Sequence, residues 1–195
     1  MSSMIGGRSG NRGQCAQPCR LSYRSEGKSG HLLSLKDICT LELIPELVEA
    51  GIDSFKIEGR MKRPEYVAGV TAAYRKYTDL YLRRGKQGFH VEEEDKVRLL
   101  DLYNRGGFHG GYYRQRNGRD MVSIKRPDHV GVAAVKVRSQ KGRELEGIAL
   151  TRISVGDVID FDSWNYTFGA SAEKGDEVRL LAPRHQRVPA GRVLY

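Results

Sequence analysis

Residues 31–103 carry a succession of strand and helix patterns that limits the fold more than any other feature of the chain. HLLSL (31–35) and IDSFKIEG (52–59) are short apolar runs, and each is predicted to form a strand. A helix is predicted between them, with Thr40 as its cap and Gly51 as its end. Strands that alternate with helices favour parallel pairing, as in a barrel or an open α/β sheet. Two strands cannot close a barrel, so we expect either a very small sheet or part of a larger one.

Two more helices are predicted after the second run. Pro64 begins the longer one, at the first helical position that proline favours, and Gly85 ends it. One face of this helix is apolar and aromatic, and consists of Val67, Val70, Tyr74, Tyr77 and Tyr81. The shorter helix is predicted over 91–103, with acidic residues at 92–95, where the helix dipole favours negative charge.

From Arg126 onward the pattern changes to short β-rich runs separated by turn residues: HVGVAAVKVRS, RELEGIALT, GDVIDFD and DEVRLLA. Gly156-Asp157 and Gly175-Asp176 suit tight turns before two of these runs. This spacing predicts a small antiparallel β-barrel. The sequence therefore divides into a glycine- and arginine-rich cysteine loop with a strand (1–36), an α/β segment with a connecting stretch (37–125), and a small β-barrel domain (126–195).

The chain is basic, with 33 Lys and Arg against 24 Asp and Glu and a net charge of +9. The first 36 residues hold six of the basic residues and the single acid Glu26. RNA, DNA or a small polyanion would be attracted to such a surface, although a merely solvated surface has the same composition. The connecting stretch 104–121 adds five glycines, three aromatics and four arginines, which suits base stacking or an ordered loop. The candidate phosphate contacts are Arg8, Arg12, Arg20, Arg114 and Arg116.

Three cysteines, Cys15, Cys19 and Cys39, argue against a disulfide framework because their number is odd. The first two lie in a basic loop and Cys39 precedes a predicted helix, and both settings favour the thiolate that binds metals. Three cysteines are one short of the usual four ligands of a zinc site or an iron–sulfur cluster. Free, metal-bound and catalytic thiols all remain open at this point.

Other catalytic patterns are weaker. A cysteine nucleophile would need His31, His90 or His109 as its base, and sequence does not show which of them is near. No HExxH metalloprotease motif occurs. Glu58 follows a predicted strand, on the side where barrel enzymes build their sites, and is a candidate catalytic acid or base or an ion-pair partner of Arg60 or Lys62.

Several motifs resemble peptidase family U32, the collagenase-like proteases. They are RSGNRGQCAQPCR, the segment that contains KDICTLELIPEL and DSFKIEGRMKRPEYV, and then NRGGFHGGYY and GRDM, in family order. The resemblance implies that 37–125 is the C-terminal part of a barrel-like (TIM-barrel-like) domain whose earlier strands precede this segment. It also implies two cysteines, in a pattern close to HGALCxxYSGxC, just before Met1, so we expect the chain to be a fragment that is inactive alone.

Members of the family are similar either to proteases or to enzymes that hydroxylate tRNA uridine, a ribosomal RNA cytidine or a quinone precursor, in an oxygen-independent or prephenate-dependent reaction. Some of them bind a four-iron (4Fe-4S) cluster through four cysteines. Position by position, Cys15 corresponds to the third cluster ligand and Cys39 to the fourth, with Cys19 as an extra thiol. The resemblance thus implies a cluster in the full-length protein and none in this chain alone.

Three functions follow as hypotheses. The first is an iron–sulfur-dependent enzyme of tRNA or rRNA hydroxylation, the second a genuine peptidase acting on a peptide substrate, and the third a non-catalytic module that binds nucleic acid or protein. A cytoplasmic location is expected, because the sequence has no run of eighteen apolar residues and no apolar segment near its start.

Overall fold

The computed structural model describes residues 1–59, 62–114, 118–161 and 164–195, and it separates into two compact units, Met1–Gly131 and Val132–Tyr195. In the described residues, no helix is both long enough and apolar enough to cross a membrane.

The first unit combines helices with short strands. Its helices are α1 (Ser2–Gly6), α2 (Ile44–Glu49), α3 (Pro64–Arg84) and α4 (Glu93–Leu102). Its strands are β1 (Tyr23–Ser25), β2 (Lys28–Gly30), β3 (Asp37–Ile38) and β4 (Phe108–His109). The first two strands form an antiparallel hairpin, and β3 pairs with β4 in parallel.

The core of the first unit lies where α3 and α4 meet the segment around α2. Tyr77 of α3 is fully buried, and its hydroxyl donates to Asp95 at 2.6 Å and accepts the Glu92 N–H at 2.9 Å. The same hydroxyl therefore connects α3 to the start of α4. The buried members of this cluster are Leu41, Ile44, Tyr77, Val91 and Leu99.

The second unit is antiparallel. Its strands are β5 (Val135–Lys141), β6 (Glu144–Ala149), β7 (Val158–Phe161), β8 (Trp164–Thr167), β9 (Glu177–Leu181) and β10 (Val193–Leu194). Four of them form a curled half-barrel sheet in the order β10-β5-β6-β9, and β7 pairs with β8. Inward residues alternate along β5, β6 and β9, as expected for a sheet with one buried face.

The bend of this sheet has a visible cause. The register shifts between Val137 and Ser139, and Gly147 of β6 faces that point. A Cβ at Gly147 would lie 2.5 Å from Val135 Cγ1 and 2.9 Å from the Lys136 carbonyl oxygen, so only glycine allows the strands to approach so closely.

Local sequence signals were confirmed for the long elements. The helix that begins at Pro64 ends where Gly85 takes φ +65°, and the acidic residues Glu93, Glu94 and Asp95 occupy the first turn of α4. The predicted antiparallel β zone is confirmed as the half-barrel sheet and its hairpin. Parallel pairing across helices is also present, although as two residues per strand, and the TIM-barrel remnant stays a prediction.

Two predicted strands were wrong. Residues 31–35 turn instead, with the Ser34 N–H bonded to the His31 carbonyl at 2.9 Å, and the strand lies two residues beyond them at Asp37–Ile38. Residues 52–59 form no strand, and β3 pairs with β4. Phe55 packs edge-to-face on Tyr74 instead, with ring centroids 6.1 Å apart.

The predicted cap of the first helix was wrong as well. A 3-10 turn at Leu41–Leu43 precedes α2, and the Thr40 side chain caps neither element. The Thr40 hydroxyl lies 2.9 Å from the Tyr74 hydroxyl, which also accepts the Thr40 N–H at 2.9 Å. Thr40 therefore joins the end of β3 to α3.

Candidate functional site

The carboxyl ends of β3 and β4 lie side by side, since the two strands are parallel and pair Asp37 with Phe108 and Ile38 with His109. Cys39 follows β3 directly, and its N–H donates to the His109 carbonyl at 3.0 Å. Gly110 and Gly111 follow β4. Open α/β sheets bind their ligands at this edge, so the chemistry of these residues is of first interest.

An open cavity of about 460 Å³ lies at this edge. Ligand pockets range over roughly 300–1,000 Å³, so a small molecule or a single base would fit. Its walls combine apolar side chains with a thiol, an imidazole, an ammonium and a guanidinium group. The lining residues are Cys39, Leu41, Glu42, Leu43, Lys96, Phe108, His109, Gly110, Gly111 and Arg114.

Cys39 is the half-buried thiol of this cavity, and it also packs against the helical core. Burial raises the pKa of the Cys39 thiol above its ordinary value, although a bond from the Leu41 backbone opposes the shift. Left to itself, the Cys39 side chain is therefore a neutral thiol at pH 7, and a strong positive charge, such as that of a metal, would be needed to hold it as a thiolate.

The two cations of the cavity each have an acidic partner. Lys96 bonds Glu42 and lies 3.3 Å from Glu93, and the Glu42 bond raises the pKa of Lys96. Arg114 lies 2.8 Å from Glu46. The cavity thus offers polar hydrogen-bonding groups without a large excess of positive charge.

His109 is fully occupied by backbone groups. Its Nδ1 accepts the Gly111 N–H at 3.0 Å, and its Nε2 lies 3.1 Å from the Lys36 carbonyl oxygen. A backbone N–H only donates and a carbonyl only accepts, so this imidazole is the neutral Nε2–H tautomer. Since both nitrogens are engaged, His109 shapes the turn at Gly110–Gly111 and is not available as a base.

A largely buried ion pair joins the two strands at their other end. Arg105 donates to Asp37 through its backbone N–H at 2.9 Å, through Nε at 3.2 Å to both oxygens, and through Nη2 at 2.7 Å. The two side chains are only 21% and 16% exposed. Sequence reasoning missed this pair, although its members lie in KDIC and NRGGF, two motifs that had been noticed separately.

The turn after Arg105 depends on Asn104. Its side-chain oxygen accepts the N–H groups of Gly106 and Gly107 at 3.0 and 2.9 Å, and its amide nitrogen donates to the carbonyls of Leu100 and Gly131 at 2.7 and 2.8 Å. Gly106 has φ +96°, and a Cβ there would lie 2.6 Å from Ser123 Oγ. The NRGG motif is therefore a structural turn that delivers Phe108 and His109 to β3.

Residues 1–123 match the family model described as Peptidase family U32. The chain belongs to peptidase family U32.

Relatives of this U32 chain carry two kinds of name. The chain is 46% identical, over 79% of its length, to the 23S rRNA 5-hydroxycytidine C2501 synthase of Escherichia coli, and 42% identical, over 54%, to tRNA hydroxylation protein P1 of Bacillus subtilis. It is also 34% identical, over 88%, to a collagenase of Porphyromonas gingivalis. The matches cover 25%, 28% and 44% of these relatives, so the chain spans less than half of each. No solved structure matches the chain.

The other two cysteines of the U32 chain lie outside the cavity. Both Cys15 and Cys19 are exposed. A hydrogen bond with the Ser2 hydroxyl at 3.3 Å, and then the Gln17 N–H at 3.3 Å, lower the pKa of Cys15. Across the ranges that the structure describes, no group of three or more Cys, His, Asp or Glu side chains is arranged to hold a metal ion.

Glu58 does not belong to the cavity. Its carboxylate is exposed and lies 3.2 Å from Lys56 Nζ, in the stretch that forms no strand. The predicted strand end that made Glu58 a catalytic candidate is therefore absent, while a catalytic role for Glu58 stays a prediction.

The predicted phosphate contacts are spread over the first unit. Arg8 and Arg12 are exposed, and Arg20 is half-buried, with its carbonyl accepting from His31 Nδ1 at 3.1 Å. Only Arg114 lines the cavity, and Arg116 lies outside the described residues.

Proposed function

We propose that this chain takes part in the hydroxylation of a pyrimidine base in tRNA or ribosomal RNA. The observation that carries the proposal is the position of Cys39, on the wall of a cavity with room for a base at the carboxyl ends of two parallel strands. Two of the relatives named above are RNA hydroxylation proteins, and one of them is the 46% identical synthase. A cytoplasmic location would follow from an RNA substrate.

The cavity suits a base that is flipped out of an RNA helix. Enzymes that act on a base extrude the nucleotide from the helix and read it by stacking and hydrogen bonds in a pocket. Tyr112 and Tyr113 follow the glycines of the cavity and are 67% and 60% exposed. Exposed tyrosine rings beside a pocket are suitable for stacking on unpaired bases, and Arg8, Arg12, Arg20 and Arg114 are proposed phosphate contacts.

An iron–sulfur cluster is proposed as the redox group, with Cys39 and Cys15 as two of its ligands and Cys19 as a further candidate. When bound, a four-iron cluster supplies one-electron redox chemistry and takes four thiolates, so the three cysteines here cannot fill every position. The fit is partial. Cys15 has the lowered pKa of a ready ligand, whereas Cys39 needs the charge of the cluster to ionise. We also assign the β3–β4 pair to the barrel-like domain that the family resemblance implies.

A peptidase is the second candidate, because a collagenase is 34% identical over 88% of the chain. A cysteine peptidase needs a thiol beside a free imidazole. Among the described residues no hydrogen bond joins a cysteine thiol to a histidine imidazole. The rings of His31 and His109 bond backbone groups, and His90 lies 4.0 Å from Glu92. These contacts favour hydroxylation over proteolysis.

The test is nucleoside mass spectrometry of tRNA and rRNA from a strain that lacks the gene. We expect one hydroxylated pyrimidine nucleoside to disappear and to return with the wild-type gene, but not with Cys39→Ala. The control is Val48→Ala, since Val48 packs on the same core as Cys39 and does not line the cavity. A complete set of hydroxylated nucleosides in the deletion strain would refute the proposal, and gelatin cleavage that Cys39→Ala abolishes would establish the peptidase instead.

A further inference from the structure

Two exposed segments of the second unit are held together at one end of its sheet. Lys141 ends β5, Gly142 and Arg143 form the turn to β6, and the loop after β9 includes residues 183–187. Gln140 bridges them, because its Nε2 donates to the carbonyls of Gly142 and Gln186, both at 2.9 Å, and its Oε1 accepts the Val188 N–H at 2.8 Å.

The other end of the loop is fixed by Arg143. The Ala182 N–H donates to the Arg143 carbonyl at 2.7 Å, and Arg143 Nε donates to the Ala182 carbonyl at 3.1 Å. The loop 183–187 is therefore attached to the β5–β6 turn at both of its ends. These bonds bring four exposed cations, Lys141, Arg143, Arg184 and Arg187, to one surface, which we call the basic tip.

The basic tip differs from the rest of this unit in its charge balance. On the outer face of the sheet, Arg138 lies 3.1 Å from Glu177 and Arg179 lies 3.6 Å from Glu144. Arg152 likewise lies 3.5 Å from Glu173. Within the described ranges, none of the four cations of the basic tip has an ion pair.

Four uncompensated cations on a fixed surface repel one another, and a polyanion removes that repulsion on binding. The hydrogen bonds of Gln140 and Arg143 hold the backbone in place beforehand, so less ordering is needed when a ligand binds. Of the aromatic side chains, the two segments hold only His185, and they lack the larger rings of Phe, Tyr and Trp. The four cations suit the surface to a phosphate backbone, whose contacts carry no base sequence.

We propose that the basic tip binds the phosphate backbone of RNA, as a second contact apart from the cavity of the first unit. The choice of RNA as the polyanion rests on the proposed function. An acidic segment of a protein has the same sign of charge, and the experiment below distinguishes the two.

The test measures the salt dependence of binding of a fluorescent single-stranded RNA to the complete chain, by anisotropy. The variant is K141Q/R184Q/R187Q, which leaves Arg143 and its bond to Ala182 intact. The matched control, R138Q/R152Q/R179Q, removes three cations that already have acidic partners. Each phosphate contact on a single strand contributes ~0.7 to the slope of log K against log salt, so we expect the variant to lose about 2 from this slope and the control to lose little.

Equal slopes for the variant and the wild type would overturn the proposal, as would a wild-type chain that binds no RNA at low salt. Competition by polyglutamate as effective as that by RNA would assign the basic tip to a protein partner and overturn it too. The nucleoside measurement is independent of this one. A reduced slope in the variant of a protein that hydroxylates no RNA would support the basic tip and refute the proposed function. An unchanged slope in the variant of a protein that does hydroxylate RNA would refute the basic tip and support the proposed function.

Discussion

The two units of this protein are stabilised in different ways. In the second unit, twelve of the described residues form one buried cluster under an antiparallel ladder whose central strands pair over five or six residues. In the first unit, which is the longer of the two, the helical cluster has five buried members, and the parallel strands pair over two residues each. The candidate cavity thus lies in the unit with the sparser core, where individual polar contacts matter more.

Functional segments are commonly drawn from the less stable part of a protein, since binding and catalysis need some freedom. Here the polar contacts that shape the cavity region include the Tyr77 hydroxyl, the Asp37–Arg105 pair and the Asn104 amide. The comparison predicts that each unit unfolds separately and that the first is the more sensitive to the loss of one contact.

The largest effect is expected from Tyr77→Ala. Loss of a fully buried aromatic ring costs about 3–5 kcal/mol, and the hydroxyl bonds to Asp95 and Glu92 are lost as well. Hydrogen exchange should show the first unit open while the second keeps its protection. The reverse experiment is Leu145→Ala, which should cost about 2–5 kcal/mol in the second unit alone. If either variant removed hydrogen-exchange protection from both units, the two units would not unfold separately.

Arg105→Ala is expected to have the next largest effect. Removal of one partner of a buried ion pair costs about 3–5 kcal/mol, and the partial exposure of this pair places the cost near the lower end of that range. The matched control is Arg114→Ala, which removes an exposed ion pair with Glu46 and should cost less than about 1 kcal/mol. Urea unfolding, monitored by amide hydrogen exchange in the first unit, gives the loss of unfolding free energy for both variants. Equal costs would show that the Asp37–Arg105 pair does not hold the strands.

A smaller, pH-dependent effect is expected from Asp95. The bond from Lys76, followed by that from Tyr77, lowers the pKa of Asp95 in the folded state. The stabilisation is therefore fully present above the ordinary aspartate pKa and is lost as the pH falls through the lowered folded value. The free energy of unfolding of the first unit should therefore decrease as the pH is lowered from about 5 to about 2. Asp95→Asn should make this free energy depend less steeply on pH. The same slope in the variant would assign the acid sensitivity to other carboxylates.

How much of this could be predicted from sequence depends on the distance between partners along the chain. The α3 helix was predicted because Pro64, its aromatic face and Gly85 are local signals. Strands β5, β6, β7 and β9 were predicted because their β-rich runs and the turn residues between them are local signals as well. The Asp37–Arg105 pair and β4 were missed, since their partners are separated by about seventy residues and by three helices.

The candidate site was predicted in the same uneven way. Cys39 was named from its place before a predicted helix, and the family resemblance made it a cluster ligand. Arg114 was named from its place in an aromatic and arginine-rich stretch. Nothing in the sequence placed them around one cavity with Lys96 and His109, because that requires the parallel strand pair. The role of His109 was likewise decided by two backbone contacts that no spacing rule indicates.

The smallest effect concerns thiol reactivity and leaves stability unchanged. Cys15 is exposed with a lowered pKa, whereas burial raises the pKa of Cys39. At pH 7.5 the metal-free chain should therefore be alkylated by iodoacetamide faster at Cys15 than at Cys39, because the thiolate is the reactive form. Peptide mapping by mass spectrometry gives the rates, and urea should equalise them. Equal rates in the native chain would mean that the cavity thiol is not protected.

The most direct test of the central claim, that Cys39 is a ligand of a redox cluster, is the iron and acid-labile sulfide content of the complete gene product purified without oxygen. The account predicts about four of each per molecule, as one four-iron cluster requires, and none in the 195-residue chain alone. It also predicts that the complete protein loses iron and sulfide in the Cys39→Ala variant and keeps them in the Val48→Ala variant. Iron content that is unchanged by Cys39→Ala, or absent from the wild-type protein, would contradict the claim and leave Cys39 as a packing residue of the cavity wall.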